Sequence, residues 1–287
     1  MSALFKQITI CGVGLIGGSL ALAARQHHLA EKIVGLGRSE ANLKIARDRG
    51  MLDLATRDPI AAAHGAELVM LATPIRLMPV TLRAMREALP HNAIVTDAGS
   101  VKQWVIDHLE PELGAGMALV GAHPIAGKET TGAAAADPAL FVDQRVIITP
   151  SARSTPAAIE KIEMLWRRVG ARVSRMAPDL HDLILSRASH LPQIVASTLA
   201  AALNNAQIGS EPAAAYGAGG LRDTTRLAAS SADMWLDILV TNREAILGAA
   251  AEFRAVLDEF GSAIDNRDEV RMRAILEQGR AMRAKLP

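Results

Sequence analysis

Apolar and polar residues follow a strand-and-helix alternation through the first part of the chain. Up to about residue 176, segments of helical character lie between several short, largely apolar runs: 7–11, 32–36, 67–72, 93–97, 118–122, 145–149 and 171–176. Largely apolar runs are typical of strands buried on both faces of a sheet. Strands that alternate with helices predict a parallel sheet covered by helices, so we expect an α/β fold here.

The pattern changes after Pro178. From 179 to 205, apolar residues recur with the i, i+3, i+4, i+7 spacing of an amphipathic helix, and Pro192 predicts a kink within it. Two similar stretches follow at 233–260 and 267–284, and no strand pattern is visible. We therefore expect two domains, an α/β domain over 1–177 and an all-helical domain over 178–287. Small residues such as Ala196 and Ala200 allow close helix approach, which makes the helical domain the expected site of dimerisation.

Composition narrows the class of protein. The chain has 287 residues, half of them hydrophobic, with 31 Lys and Arg against 30 Asp and Glu. This balance argues against a nucleic-acid-binding protein. A single cysteine, Cys11, excludes an intramolecular disulfide, and no apolar run reaches the length of a membrane helix. Together with the lack of a signal-peptide pattern, these features predict a cytoplasmic protein, and the histidine spacing suggests no metal site.

A glycine-rich turn follows the first predicted strand. The sequence there is Gly12-Val-Gly14-Leu15-Ile16-Gly17, the G-x-G-x-x-G pattern between a strand and a helix. Gly12 permits the tight turn, Gly14 leaves room for a pyrophosphate, and Gly17 lets the helix approach the strand. The helix start at Leu15 and Ile16 offers N–H groups to phosphates. We interpret the first domain as a Rossmann-type dinucleotide-binding domain; the alternative is a glycine-rich turn that binds nothing.

The end of the second run bears on the choice of dinucleotide. NAD-specific sites place an acid here to bind the ribose 2′-hydroxyl, whereas this chain has Arg38 and Ser39. These two residues suit a 2′-phosphate, so NAD(P) is the expected cofactor with a preference for NADP. The alternative is that Arg38 is merely solvated and that backbone groups accommodate NAD. Thr73 and Pro74, which close the third run, are also expected at the cofactor.

Two polar residues with catalytic potential follow later strands. Ser100 comes after the run 93–97 and His123 after the run 118–122. The carboxyl ends of parallel strands line the ligand crevice of an open sheet, so both residues are expected near the nicotinamide. The ordinary pKa of histidine, near 6.5, suits a general base that takes a proton from an alcohol. The alternative is that both residues only cap a loop and a helix.

Five segments together resemble one enzyme family. They are GVGLIGGSLA at 12–21, DAGSVK at 97–102, GAHPIAGKE at 121–129, SHLPQ at 189–193 and GGLRDTTR at 219–226. In this order they are similar to the prephenate/arogenate (cyclohexadienyl) dehydrogenases of tyrosine biosynthesis. The resemblance implies oxidative decarboxylation of prephenate to 4-hydroxyphenylpyruvate, or of arogenate to tyrosine, with hydride transfer to NAD(P) in a homodimer.

The resemblance also implies residue roles. His123 matches the histidine that hydrogen-bonds the ring hydroxyl. Ser100 matches the serine that orients this histidine and the nicotinamide. Residues matching substrate-binding or pocket-lining positions are His190, Arg226, Lys128, Glu129, Arg222, Asp223 and Trp235, the last reaching the partner subunit's site. Lys128 stands where relatives often have Thr, and Gly37 where many NAD-using relatives have an acid.

Two other functions remain open from the residues. A β-hydroxyacid-type Rossmann dehydrogenase relies on a lysine early in the helical domain, but 179–205 contains none. A dinucleotide sensor without catalysis has no need for a base together with a carboxylate-binding arginine. The set Ser100, His123, His190 and Arg226 therefore favours the dehydrogenase.

Overall fold

The computed structural model describes residues 2–128, 130–204, 206–208 and 211–286. Contacts divide the chain into two compact units. The first consists of Met1–Leu185 and Ala229–Asn242, and the second of Ser186–Ala228 and Arg243–Pro287.

An eight-stranded sheet forms the centre of the first unit. Its strands are β1 (Phe5–Cys11), β2 (Ala30–Leu36), β3 (Leu54–Thr56), β4 (Leu68–Leu71), β5 (Ile94–Asp97), β6 (Ala118–Pro124), β7 (Arg145–Pro150) and β8 (Arg172–Arg175). They lie in the order β3-β2-β1-β4-β5-β6-β7-β8. The helices of this unit are α1 (Leu15–Gln26), α2 (Glu40–Asp48), α3 (Pro59–Ala63), α4 (Met78–Met85), α5 (Gln103–Leu109), α6 (Pro156–Arg168) and α7 (Pro178–Leu185). The first six strands have the Rossmann order, which confirms the predicted fold class.

The sheet departs from the prediction in two places. Strand β3 carries no continuous apolar run, because its three residues are exposed or only half-buried, and the sequence pattern missed it. Strand β7 pairs antiparallel with β6, so the predicted parallel pairing does not hold between these two strands. The described residues of the connection between them form a short 3₁₀ turn at Ala133–Ala135 and no α-helix. Parallel neighbours are usually joined by a crossover helix, and the described part of this connection has none.

The core of the first unit lies between the sheet and its helices. Aromatic side chains are few, and the fully buried Trp166 packs edge-to-face on Phe141 with ring centroids 5.1 Å apart. Elsewhere small residues such as Ala21 and Ala24 bring α1 close to the strands. Cys11 is fully buried, and burial raises the pKa of its thiol to about 12. The thiol is therefore a packing group and not a nucleophile.

The second unit is mostly helical. A π-helical turn at Ser186–His190 leads into α8 (Leu191–Asn204), followed by α9 (Gly219–Thr225), α11 (Arg243–Asp265) and α12 (Glu269–Arg283), with α10 (Ala232–Thr241) belonging to the first unit. The predicted helix over 179–205 is thus interrupted just before Pro192, whose missing N–H favours such a break. The helix predicted over 233–260 is two helices. Two-residue strands β9 (Gln207–Ile208) and β10 (Glu211–Pro212) pair antiparallel, so this half is not wholly helical.

The division of contacts falls at a different place from the predicted boundary at 177/178. The carboxylate of Asp182, on α7, accepts hydrogen bonds from the backbone N–H groups of Lys102 and Gln103 at 2.7 and 2.8 Å. The Asn242 side chain donates to the Asp182 carbonyl, and Arg76 forms an ion pair with Asp237 of α10. These polar contacts place α7 and α10 with the sheet.

The described residues contain neither a membrane-spanning helix nor a cluster of metal ligands. No helix there is long and apolar enough to cross a membrane. No cluster of three or more histidine, cysteine or acidic side chains there has metal-binding geometry.

Candidate active site

The glycine-rich turn connects β1 to α1. Gly12 has a φ of +94°, and a Cβ there would lie 2.6 Å from the Ala72 carbonyl oxygen. A Cβ on Gly17 would collide with the Gly12 carbonyl oxygen, whereas one on Gly14 would meet nothing within 4 Å. Gly12 and Gly17 are therefore required by the fold itself, and the space beside Gly14 is open.

The start of α1 suits an anion. No side chain caps the helix at Gly14, and its first turn contains no acid, so the N–H groups at Leu15 and Ile16 begin an uncapped helix. β1 and β4 are neighbours at the point where the strand order reverses, which is where open α/β sheets bind ligands. Thr73, which follows β4, has a buried hydroxyl without a hydrogen-bond partner in the described part of the chain. An unpaired buried hydroxyl beside an uncapped helix start fits a polar, phosphate-bearing ligand.

The end of β2 has two different polar groups. The Ser39 hydroxyl caps α2, accepting a hydrogen bond from the Asn42 N–H at 3.3 Å. Arg38 is exposed and forms no ion pair with any described residue. Ser39 thus has a structural role that the sequence did not predict, while the Arg38 guanidinium is accessible to an anion.

A buried ion pair joins the ends of β5 and β6. Asp97 and Lys102 are both fully buried and in direct contact. The Lys102 ammonium also donates to the Ala122 carbonyl at 2.9 Å, and Asp97 accepts from the N–H groups of Gly99 and Ala122. Burial lowers the pKa of Lys102, an effect that the Asp97 carboxylate opposes. The pair fixes the loop that carries Ser100 and the strand end that carries His123.

His123 is the buried histidine at the carboxyl end of β6. Its Nδ1 lies 2.8 Å from Nε2 of His181 on α7, and the two rings are 5.0 Å apart at 63°. Nδ1 of His181 in turn lies 2.8 Å from Oδ1 of Asp182. The sequence did not single out His181 and Asp182, because they follow no predicted strand and lie within the predicted amphipathic helix. Their adjacency as His-Asp on a buried helix face is the signal that could have found them.

The surroundings of His181 favour its neutral form. Burial lowers its pKa, the Asp182 hydrogen bond opposes that shift, and the Lys102 ammonium lowers the pKa further. A neutral imidazole between two polar groups donates from one ring nitrogen and accepts at the other.

The remaining predicted residues fall in both units. In the first, Ser100 is half-buried between β5 and α5, Lys128 is exposed and paired with Asp137 at 2.7 Å, and Trp235 lies on α10. In the second, His190 is buried at the end of the π-helical turn. Glu129 lies outside the described residues.

The rest of the second-unit set lies in and just after α9. Arg222 and Asp223 are exposed on that helix. Arg226 is exposed at the start of the following 3₁₀ turn.

Comparisons with known proteins identify relatives over nearly the whole chain. Residues 20–175 match the family model described as prephenate dehydrogenase, nucleotide-binding domain, and residues 177–278 match prephenate dehydrogenase, dimerization domain. The cyclohexadienyl dehydrogenase of Zymomonas mobilis is 37% identical over 92% of this chain and 90% of its own length. The prephenate dehydrogenase of Bacillus subtilis is 33% identical over 93% of this chain and 72% of its own.

A solved structure agrees with these relatives. The prephenate dehydrogenase of Aquifex aeolicus, in complex with hydroxyphenyl propionate and NAD⁺, superposes with a TM-score of 0.93 at 31% identity, covering 99% of both chains. The glycine turn precedes the first matched residue of the family model, so its geometry is an independent observation. With a Rossmann-ordered sheet, a buried histidine at a strand end and two family models that span most of the sequence, this chain belongs to the prephenate dehydrogenase family.

Proposed function

We propose that this protein catalyses the oxidative decarboxylation of prephenate, arogenate or both, giving 4-hydroxyphenylpyruvate or tyrosine with reduction of NAD(P). The observation that carries the proposal is the position of His123. It lies at the carboxyl end of β6, on the same edge of the sheet as the glycine turn after β1 and the unpaired Thr73 hydroxyl after β4. Membership of the family supports the same reaction.

The chemistry requires one base and one hydride acceptor. The substrate ring is a cyclohexadiene with a hydroxyl and a hydrogen on one carbon and a carboxylate on the opposite carbon. His123 takes the hydroxyl proton, and the same carbon loses its hydrogen as hydride. The forming carbonyl is conjugated to the carboxylate-bearing carbon, so it accepts the electron pair left when CO₂ departs, and the ring becomes aromatic. A bound oxidised nicotinamide supplies the hydride acceptor.

The residues that would hold the dinucleotide come directly after β1, β2 and β4. Gly12, Gly14, Leu15, Ile16 and Gly17 would bind the pyrophosphate. Arg38 and Ser39 would lie at the adenosine ribose, and Thr73 and Pro74 towards the nicotinamide. We favour NADP, because the exposed Arg38 guanidinium suits a 2′-phosphate and no acid follows β2 to bind a free 2′-hydroxyl.

The substrate would be bound by residues carried over from the family. Arg226 would form a bidentate pair with a substrate carboxylate, and His190 would contact the substrate. Ser100 would orient His123, and the further substrate-binding candidates are Lys128, Glu129, Arg222, Asp223 and Trp235. We place the enzyme in the cytoplasm as a homodimer built through its helical domain, with a dinucleotide-binding domain at 1–177 and a helical domain at 178–287.

The test measures reduced nicotinamide by its absorbance with prephenate or arogenate and NAD or NADP, in all four combinations. We expect reduction with at least one substrate, and faster turnover with NADP at subsaturating cofactor. Arg38→Ala should weaken NADP binding and leave NAD binding unchanged, because it removes only the charge that faces the 2′-phosphate. No reduction in any combination would exclude the dehydrogenase and favour the dinucleotide sensor, and turnover of a β-hydroxyacid instead would favour the other dehydrogenase class.

A further inference from the structure

His123 is hydrogen-bonded to a series of buried polar residues to which the family resemblance assigned no role. The series runs from His123 to His181 to Asp182, with each pair of ring or carboxylate atoms 2.8 Å apart. All three side chains are buried, at 8%, 0% and 5% exposure, so water does not compete for these bonds. The order of donors and acceptors along this chain decides which nitrogen of His123 can act as the base.

The hydrogen bonds that Asp182 accepts determine which atoms donate and which accept along these three residues. Both carboxylate oxygens accept backbone N–H groups at the start of α5, Oδ1 from Lys102 at 2.7 Å and Oδ2 from Gln103 at 2.8 Å. A carboxylate that accepts these bonds is also the acceptor for the His181 ring. Nδ1 of His181 therefore carries the proton.

The protonation of His181 in turn determines which ring donates in its hydrogen bond with His123. The charged groups around His181 are Asp182, Asp97 and the Lys102 ammonium. Burial and Lys102 lower the pKa of His181 against the opposing effect of the two carboxylates, which favours the neutral imidazole. A neutral ring protonated at Nδ1 has its lone pair at Nε2, the atom that faces Nδ1 of His123. His123 must therefore donate its own Nδ1 proton, and its lone pair lies on Nε2.

We propose that His181, oriented by Asp182, is a positioning residue that holds His123 in the Nδ1-protonated tautomer, so that Nε2 is the base of the reaction. This inference rests on the proposed function for its catalytic consequence. When Nε2 takes the substrate proton, His123 becomes a cation whose Nδ1–H already has an acceptor in place. The stabilisation needs no rearrangement, which is the property that makes preorganised groups effective.

The first test measures the tautomer directly, by ¹⁵N NMR of the imidazole nitrogens in the intact protein without substrate, with His123→Asn used to assign the His123 signals. We expect Nδ1 of His123 and Nδ1 of His181 to be protonated and both Nε2 atoms to be unprotonated. Protonation of His123 at Nε2 in the neutral ring overturns the inference. This measurement requires no turnover. A protein that reduces no dinucleotide would contradict the proposed function, and the NMR spectrum would still decide the tautomer.

The second test separates positioning from folding with two variants at one site. His181→Asn retains an amide near Asp182 but withdraws the acceptor from His123, and His181→Gln places an amide oxygen near the former Nε2. His181→Asn should lower kcat on the order of 10²-fold while KM and dinucleotide affinity change little. His181→Gln should restore most of that loss. A His181→Asn variant with parental kcat, or a loss that Gln does not relieve in a folded protein, overturns the positioning role.

Discussion

The residues at the carboxyl edge of the sheet include the proposed base, His123, and the buried polar groups that hold it in place. The sequence made His123 a candidate because it lies at the end of a predicted strand in a chain that also carries the glycine-rich fingerprint, and open α/β sheets bind ligands at such strand ends. His181 and Asp182 were not singled out, because their importance depends on hydrogen bonds to residues 58 to 80 positions away. Their adjacency in the sequence is the only local sign of these contacts in this part of the chain. Lys102 pairs with Asp97 only five positions away, but the sequence does not show that both side chains are buried.

The buried Asp97–Lys102 pair gives a prediction at the scale of a single residue. Lys102→Met leaves Asp97 charged and buried without its cation, which typically costs about 3–5 kcal/mol. We expect urea denaturation to show a loss of that size. Lys44→Met is the matched control, because Lys44 pairs with Asp48 on the exposed face of α2, and its effect should stay within about 0.5 kcal/mol. Equal effects of the two substitutions would contradict the role assigned to the buried pair.

Secondary-structure elements were predicted well where they are regular and poorly where they are short or interrupted. All seven apolar runs correspond to strands. The buried strands of the sheet need continuous apolar sequence, whereas β8 was predicted although its residues are exposed or half-buried. Strand β3 was not predicted because its side chains are exposed or only half-buried. Strand β7 has the opposite direction to the expected one, because strand direction depends on the connection rather than on composition. The π-helical turn at Ser186–His190 lay next to the predicted kink, one turn before Pro192.

The turn between β1 and α1 gives a prediction at the scale of the element. Gly14 has a φ of −98° and open space at its Cβ position, so Gly14→Ala should fold with an unchanged melting temperature. The added methyl group would occupy the space expected for the pyrophosphate, and we expect at least about tenfold weaker dinucleotide binding by calorimetry.

Gly17→Ala provides the contrast. Its methyl group would collide with the Gly12 carbonyl oxygen and approach the Ile10 side chain at 2.8 Å, so this variant should lose about 1–3 kcal/mol of stability. Parental affinity in Gly14→Ala would indicate that the turn does not bind the dinucleotide.

At the scale of the whole molecule, the family and the fold class were predictable from sequence, whereas the grouping of segments was not. Helices α7 and α10 follow the predicted boundary, yet their polar contacts join them to the sheet unit. Amphipathic periodicity shows that a helix has a buried face but does not show which surface covers it. The predicted site residues consequently fall in both units, with Ser100 and His123 in one and His190 and Arg226 in the other.

The titrating groups of the first unit predict how stability depends on pH. The folded protein lowers the pKa of His181 by burial, and hydrogen bonds from Arg83 and Arg175 lower the pKa values of Glu112 and Glu163. In each case the unfolded chain binds the proton more readily, so acidification favours unfolding. Stability should fall first below the ordinary histidine value of 6.5 and again below the ordinary glutamate value of 4.5.

Melting temperatures measured across this range check the expectation. His181→Gln should remove the upper step and leave the lower one, because it deletes only the group that titrates near neutrality. A melting temperature that rises on acidification through 6.5 would contradict the neutral, buried state assigned to His181.

The most direct test of the account compares the parent protein with His123→Asn in the reduction of NAD(P) by saturating prephenate or arogenate. If Nε2 of His123 takes the proton of the ring hydroxyl, kcat should fall by about 10²–10⁴-fold, while dinucleotide affinity and melting temperature stay at the parental values. A His123→Asn protein that turns over as fast as its parent would contradict the assignment of His123 as the base.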